Sequence, residues 1–202
     1  MSEIKYNKEE LYNTPVVTIY TEANPNPNSM KFMLNFILVR DESFDFPDLE
    51  SAAKSPLAQE LFGFEFIERV FYMNNFITLT KADGVEWIEI VPQIKKHIRE
   101  YFEQKKPLFN ELQPEEVIEA NNDTEAIKKI KGVLDEYIKP AVEMDGGAIQ
   151  FNSFDETTGI LKVILQGSCS GCPSSTVTLK HGIQNLMTKM VPQVKDVVAE
   201  GV

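Results

Sequence analysis

The sequence predicts an α+β protein of two small α/β-layer domains joined by a linker. The chain has 202 residues, enough for two such domains. Strand-like and helix-like patterns alternate along it, and a polar stretch divides them into two groups. We expect a first domain at residues 1–104, a linker at 105–122 and a second domain at 123–202.

The patterns of the first domain follow the order β-β-α-β-β-α. Ser55 has the character of a helix N-cap, and Pro56 suits the first helical position. Trp87, Ile90 and Ile94 recur at helical spacing, which predicts a long amphipathic helix. The predicted strands are 16–20, 30–35, 70–72 and 76–80, of which the last two form a hairpin.

The predicted linker, residues 105–122, is polar and interrupted by prolines and asparagines. The second domain then opens with a helix for which Asn122 is the expected cap, and Pro140 interrupts that helix. Asp145-Gly146-Gly147 is predicted as a plain helix-to-strand turn. Two strands follow at 148–154 and 160–165, and then come the cysteines, a closing helix and a short apolar segment.

The charge of the chain excludes some function classes. The net charge is −11, with −9 in residues 1–122 and −2 in residues 123–202, so nucleic-acid binding is not expected. No apolar run approaches the roughly 20 residues that span a bilayer, so no membrane role is expected. Residues 1–5 resemble neither a signal peptide nor a transit peptide, and we therefore expect a cytoplasmic protein.

The chemistry-bearing feature is one Cys-x-x-Cys pair, Cys169 and Cys172, which are the two cysteines of the chain. They fall between a predicted strand and a helix that begins at Pro173. Backbone N–H groups at a helix start favour thiolate over thiol, and thiolates bind metals or attack disulfides. Gly167 and Gly171 allow a tight turn and a close approach of N–H groups to sulfur.

Three alternatives remain open for this pair. A local disulfide between inert cysteines leaves the glycines and the helix start without a purpose. A thioredoxin-like dithiol oxidoreductase needs further strands after its active-site helix, but only 30 residues follow Cys172. A zinc-stabilised interaction module is the third alternative, since zinc also binds thiolates.

A metal site at this pair needs more ligands than one chain provides. Zinc takes four ligands, and iron–sulfur clusters are usually held by four cysteines. His97 falls on the long first-domain helix and His181 lies nine residues beyond Cys172. Both are interpreted as ordinary helix residues. The simplest complete site therefore takes two cysteines from each of two chains related by a twofold axis.

Two stretches resemble the NifU C-terminal domain of the Nfu proteins: residues 134–147, ending in Asp145-Gly146-Gly147, and residues 167–175, around the cysteines. The first domain resembles the Nfu N-terminal domain. Its matching stretches are 21–26, 30–32, 55–58, 61–63 and 76–81. Together the two resemblances cover nearly the whole chain.

The resemblance implies an iron–sulfur cluster carrier that is not an enzyme. In that family the Cys-x-x-Cys pairs of two subunits hold a [4Fe–4S] cluster for transfer to apoproteins, which carries over to Cys169 and Cys172. It implies a homodimer on cluster binding, with scaffold or donor proteins and apo iron–sulfur proteins as partners. Ala148 departs from the Asp that is common in relatives. The first domain contains no cysteine and is expected to dock donors or recipients.

Overall fold

The computed structural model describes residues 16–40, 42–110, 123–170 and 173–201. The chain divides into two compact units, Met1–Glu115 and Glu116–Val202. Both units combine helices with one sheet, which confirms the α+β class. The finer boundaries at 104 and 122 stay a prediction.

In its described residues, the first unit contains a five-stranded antiparallel sheet with two α-helices. The strands lie in the order β1-β2-β5-β4-β3. Their bounds are Ile19–Ala23 (β1), Ser29–Leu34 (β2), Ser43–Phe46 (β3), Ile67–Met73 (β4) and Phe76–Lys81 (β5); the helices are Pro56–Phe62 (α1) and Trp87–Glu103 (α2), and a 3-10 helix spans Ser51–Lys54.

The start of α1 follows the sequence-based prediction. The Ser55 hydroxyl accepts a hydrogen bond from the Ala58 N–H at 3.3 Å, and Pro56 occupies the first turn. The predicted hairpin and the long helix are also present as β4, β5 and α2. The sequence-based reasoning missed β3, which lies within an acidic stretch and pairs with β4.

One end of the predicted linker packs into the first unit. Leu108 and Phe109 are buried in the first core, and the Phe109 ring lies 4.5 Å from that of Phe44. Ser55 Oγ donates to the Leu108 carbonyl at 3.0 Å. Residues 105–110 therefore contribute to the first unit. Residues 111–122, the rest of the predicted linker, lie outside the described residues.

The second unit contains a smaller sheet of order β6-β7-β8, in which β6 and β7 are antiparallel and β7 and β8 are parallel. The strands are Gly147–Asp155 (β6), Ile160–Gly167 (β7) and Asp196–Gly201 (β8); the helices are Glu125–Val133 (α3), Lys139–Met144 (α4) and Pro173–Met190 (α5). The last apolar segment, for which no structure was predicted, thus enters β8. Its Val197 is fully buried.

One local expectation for the second unit needs correction, and another agrees with the structure. Thr124, not Asn122, caps α3, since its hydroxyl accepts from the Ile127 N–H at 3.4 Å. The α-helix is interrupted just before Pro140, as expected, and helical structure continues beyond it. A π-helical turn at Leu134–Ile138 precedes α4, and the proline then falls in the first turn of α4, where its missing N–H is tolerated.

Candidate functional site

The cysteine loop lies between the end of β7 at Gly167 and the start of α5 at Pro173. Gly167 has a φ of +64°, a left-handed conformation that favours glycine and turns the chain out of the strand. Cys169 therefore follows the strand directly, as predicted. Cys172 and Gly171 lie outside the described residues.

The turn before β6 forms a wall of the Cys169 environment. Gly146 has a φ of +80°, and its N–H donates to the Glu143 carbonyl at 3.0 Å. A Cβ atom on the next residue, Gly147, would lie 2.9 Å from the Cys169 sulfur and 2.6 Å from the Gln166 carbonyl oxygen. Only glycine leaves room for the sulfur at this position.

Ser168 connects the cysteine loop to the same turn. Its hydroxyl donates a hydrogen bond to the Asp145 carbonyl, and its N–H donates to the Gly146 carbonyl at 3.3 Å. Its Oγ lies 3.8 Å from the Cys169 sulfur. Because Ser168 and Cys169 are only 3% and 6% exposed, these contacts are shielded from water.

The electrostatic environment of Cys169 differs from the prediction. Burial raises the pKa of the Cys169 thiol to about 11; the Ser168 hydroxyl opposes this shift and the nearby Asp145 carboxylate adds to it. The expectation that the helix start favours a thiolate is therefore wrong for Cys169 in this state. Desolvation is the largest cause of the raised pKa, since an unpaired charge is costly away from water.

Among the described residues, neither histidine belongs to a group of metal ligands with Cys169. His97 is on α2 in the first unit, where its Nε2 is 3.1 Å from the Glu60 carboxylate and its ring meets Phe64 edge-on. His181 is exposed on α5. Over the ranges that the structure describes, no three side chains of His, Cys, Asp or Glu form a ligand group.

The role of the Asp145–Gly147 turn is what the sequence-based reasoning missed. It was predicted as a plain helix-to-strand turn, yet it contacts both Ser168 and Cys169. The available signal was that this turn and the cysteine loop carried the family resemblance together. Ala148, the departure from the family pattern, is buried and pairs with Gln166 in the sheet.

Comparison with known proteins separates the chain into two matched regions. The family model described as "Scaffold protein Nfu/NifU N terminal" matches residues 19–105. The model described as "NifU-like domain" matches residues 130–198. NifU-like protein 5, mitochondrial, from Arabidopsis thaliana is 40% identical over 185 residues, covering 90% of this chain and 67% of its own.

The chain belongs to the Nfu-type, NifU-like family. NifU-like protein 4, mitochondrial, of A. thaliana is 39% identical over 90% of this chain, and the Drosophila sechellia "NFU1 iron-sulfur cluster scaffold homolog, mitochondrial" is 40% identical over 89%. The chain spans 65% and 63% of the length of these two Nfu relatives. The solution structure of a NifU-like protein from Saccharomyces cerevisiae aligns with a TM-score of 0.45 and 20% identity, covering 55% of this chain and all of its own.

The names of these Nfu relatives bear on two predictions. The Drosophila relative is named as a scaffold and not as an enzyme, which agrees with the prediction of a non-enzymatic protein. The prediction of a cytoplasmic protein is wrong on this comparison, because the Arabidopsis and Drosophila relatives are all named as mitochondrial. In the part of the chain that is described, no helix is long and apolar enough to cross a membrane.

Proposed function

We propose that this protein is an iron–sulfur cluster scaffold and carrier. It binds a [4Fe–4S] cluster between two copies of the chain through Cys169 and Cys172, and it transfers that cluster to apoproteins. The observation that carries the proposal is the match of residues 130–198 to the NifU-like domain, a region that contains both cysteines of the chain, Cys169 and Cys172. The names of the relatives support the iron–sulfur role.

The number of available ligands favours two chains over one. The sequence contains two cysteines, and a cluster of this type takes four thiolates. The histidines are poor substitutes, because His97 belongs to the first unit and pairs with Glu60, while His181 is exposed on α5. A twofold axis through the cluster supplies the missing two sulfurs with the same geometry.

The cluster is cargo in this proposal, and the thiol chemistry suits its release. Each thiol gives up its proton to solvent as its sulfur binds iron, so protons compete with iron for the ligand. Burial raises the pKa of Cys169 to about 11, and this competition is therefore strong at neutral pH. A ligand that regains its proton readily weakens the hold on the cluster once an acceptor presents its own thiolates.

The partners follow from the cargo. A donor scaffold supplies the cluster, and apo iron–sulfur proteins receive it. The first unit has no cysteine and cannot contribute a thiolate, so we assign it the docking of donors or recipients. The names of the relatives favour a mitochondrial setting for this exchange.

Anaerobic reconstitution of the full chain with ferrous iron and sulfide tests the proposal. The expected product is coloured and contains about four irons and four sulfides per two chains. Incubation with an apo [4Fe–4S] protein should then move the iron to the acceptor, separable by size. Colourless protein with no bound iron after reconstitution would contradict the proposal.

The same preparation separates the alternatives at the cysteine pair. Stoichiometric zinc that iron and sulfide do not displace would indicate a zinc-stabilised module. Catalytic reduction of a model disulfide by the apo protein, lost in Cys169→Ser, would indicate a dithiol oxidoreductase. The raised thiol pKa of Cys169 argues against the second alternative, because the thiolate is the attacking species.

A further inference from the structure

Cys169 lies in a closed seat, which we define by Gly147 on one side and Ser168 on the other. The cysteine is 6% exposed and counts among the buried residues of the second core. Gly147 gives the sulfur its space, since a Cβ there would come within 2.9 Å of it. The Gly147 side of the seat is therefore formed by the backbone of β6.

Ser168 holds this seat closed. Its hydroxyl has one hydrogen, which it donates to the Asp145 carbonyl, so its oxygen can still accept from the Cys169 thiol 3.8 Å away. Its N–H binds the Gly146 carbonyl at 3.3 Å. Two hydrogen bonds from one residue thus tie the cysteine loop to the turn before β6.

A buried sulfur is not placed to bind a cluster that two chains share. Such a cluster sits at a junction of subunits, and each of its ligands must reach the surface of its own chain. The described position of Cys169 does not satisfy this, because nearly all of its surface is covered. The seat fits a cysteine that carries no cluster.

We propose that Ser168 and Gly147 are positioning residues that hold Cys169 in this closed seat whenever no cluster is bound. The inference rests on the proposed function and adds to it a defined position for Cys169 in the protein that carries no cluster. When the cluster binds, Cys169 leaves the seat and the hydrogen bond from Ser168 to Asp145 breaks. Between deliveries the seat protects the thiol from alkylation and oxidation.

The protection of the thiol can be measured without any cluster. The full chain is made with Cys172→Ser, so that Cys169 is the one thiol present, and its alkylation by a maleimide is timed at a fixed pH in native buffer and in urea. We expect native Cys169 to react at least about 100-fold more slowly than the unfolded chain. Removing the Ser168 bond with Ser168→Ala should speed the native reaction about tenfold, the factor that 1.4 kcal/mol represents.

Glycine substitutions provide a second arm with a matched control. Gly147→Ala should displace the sulfur and also raise the alkylation rate, whereas Gly132→Ala on α3 should not, since nothing lies within 4 Å of a Cβ there. Unfolding curves for each variant show whether a faster reaction reflects opening of the seat or loss of the fold. If the alkylation rate of Cys169 already rises at low urea concentrations, the thiol is reached through global unfolding of the chain. That result counts against protection by the seat.

A readout in the loaded state separates this inference from the proposed function. With Cys172 restored, Ser168→Ala should still bind the cluster with the wild-type absorption spectrum, because the seat is empty in that state. The inference is overturned if wild-type Cys169 reacts as fast as the unfolded chain, if Ser168→Ala and Gly147→Ala leave the rate unchanged, or if Ser168→Ala cannot hold the cluster. If wild-type protein binds no cluster at all, the proposed function fails, whatever the alkylation rates.

Discussion

The two units differ in whether their hydrophobic core includes a residue of the candidate site. Among the described residues, the first core contains 24 buried hydrophobic residues, including edge-on aromatic pairs such as Phe36–Phe102 and Phe46–Tyr72. The second core contains 15, none of them aromatic, and Cys169 is one of them. The first unit can therefore be stable without serving the site, whereas in the second unit the site is part of the core.

The largest expected effect comes from the ligands themselves. Cys169→Ser or Cys172→Ser removes two of the four thiolates from a symmetric site, because each substitution occurs in both chains. Bound iron after reconstitution should fall at least about tenfold, measured by a colorimetric iron assay. Thermal unfolding of the first unit should not change. A serine variant that retains wild-type iron would exclude that cysteine as a ligand.

The next largest effect comes from two matched isoleucine-to-alanine substitutions, one in the core of each unit. Ile98 on α2 and Ile149 on β6 are both almost fully buried, at 0% and 1% exposure. Replacing either by Ala should destabilise its own unit by about 2–5 kcal/mol, through lost burial and a cavity. Calorimetry should place each loss in a different transition. Only Ile149→Ala should reduce bound iron, and equal iron losses in both variants would contradict the separation.

Glycines with left-handed backbone provide a smaller contrast. Gly159 (φ +77°) joins β6 to β7, and a Cβ there would lie 2.7 Å from the Gln193 carbonyl oxygen. Gly84 in the first unit has a φ of +80°, but a Cβ there meets nothing within 4 Å. Gly84→Ala should cost about 1–2 kcal/mol from backbone strain alone. Gly159→Ala adds about 1–3 kcal/mol for overpacking. Urea titrations of both variants decide whether the second is the more damaging.

The smallest effect is an acid dependence common to both units. The backbone N–H of Ser51 lowers the pKa of Asp48 in the first unit. The Thr158 hydroxyl, with the N–H groups of Thr157 and Thr158, lowers the pKa of Asp155 in the second. A lowered folded-state pKa means that stability is present above the ordinary value of 3.8 and is lost as pH falls through the folded value. Asp48→Asn and Asp155→Asn should each remove this dependence from one transition only, seen as melting temperature against pH.

The sequence was most informative where local chemistry decides the structure. Ser55 and Pro56 specify the start of α1, and the spacing of Ile90, Ile94 and Ile98 specifies the buried face of α2. The strand β3 was not predicted, because its four residues of mixed polarity resemble a loop. The Asp45 side chain within it is 1% exposed and pairs with Arg69 on β4 at 2.8 Å, a contact that depends on the sheet.

The sequence predicts Cys169 and Cys172 as the site residues, but it does not predict the protonation state of the Cys169 thiol. Cys169 follows from residue type and spacing, since a Cys-x-x-Cys pair between a strand and a helix is recognisable in sequence. Its raised pKa depends on burial against Gly147, a residue 22 positions away, and on the Asp145 carboxylate. Contacts that join distant parts of the chain leave no local pattern. The helix start suggested a thiolate, and tertiary burial reversed that expectation.

Native mass spectrometry of the reconstituted full chain, kept anaerobic throughout, tests the central claim most directly. It weighs the chains and the inorganic atoms together, so it counts subunits and cluster at once. The predicted species contains two chains and one four-iron, four-sulfide cluster, and it reverts to single chains when the cluster passes to an apo acceptor. A monomer that carries the cluster alone, or a dimer whose mass is unchanged by iron and sulfide, would contradict the account.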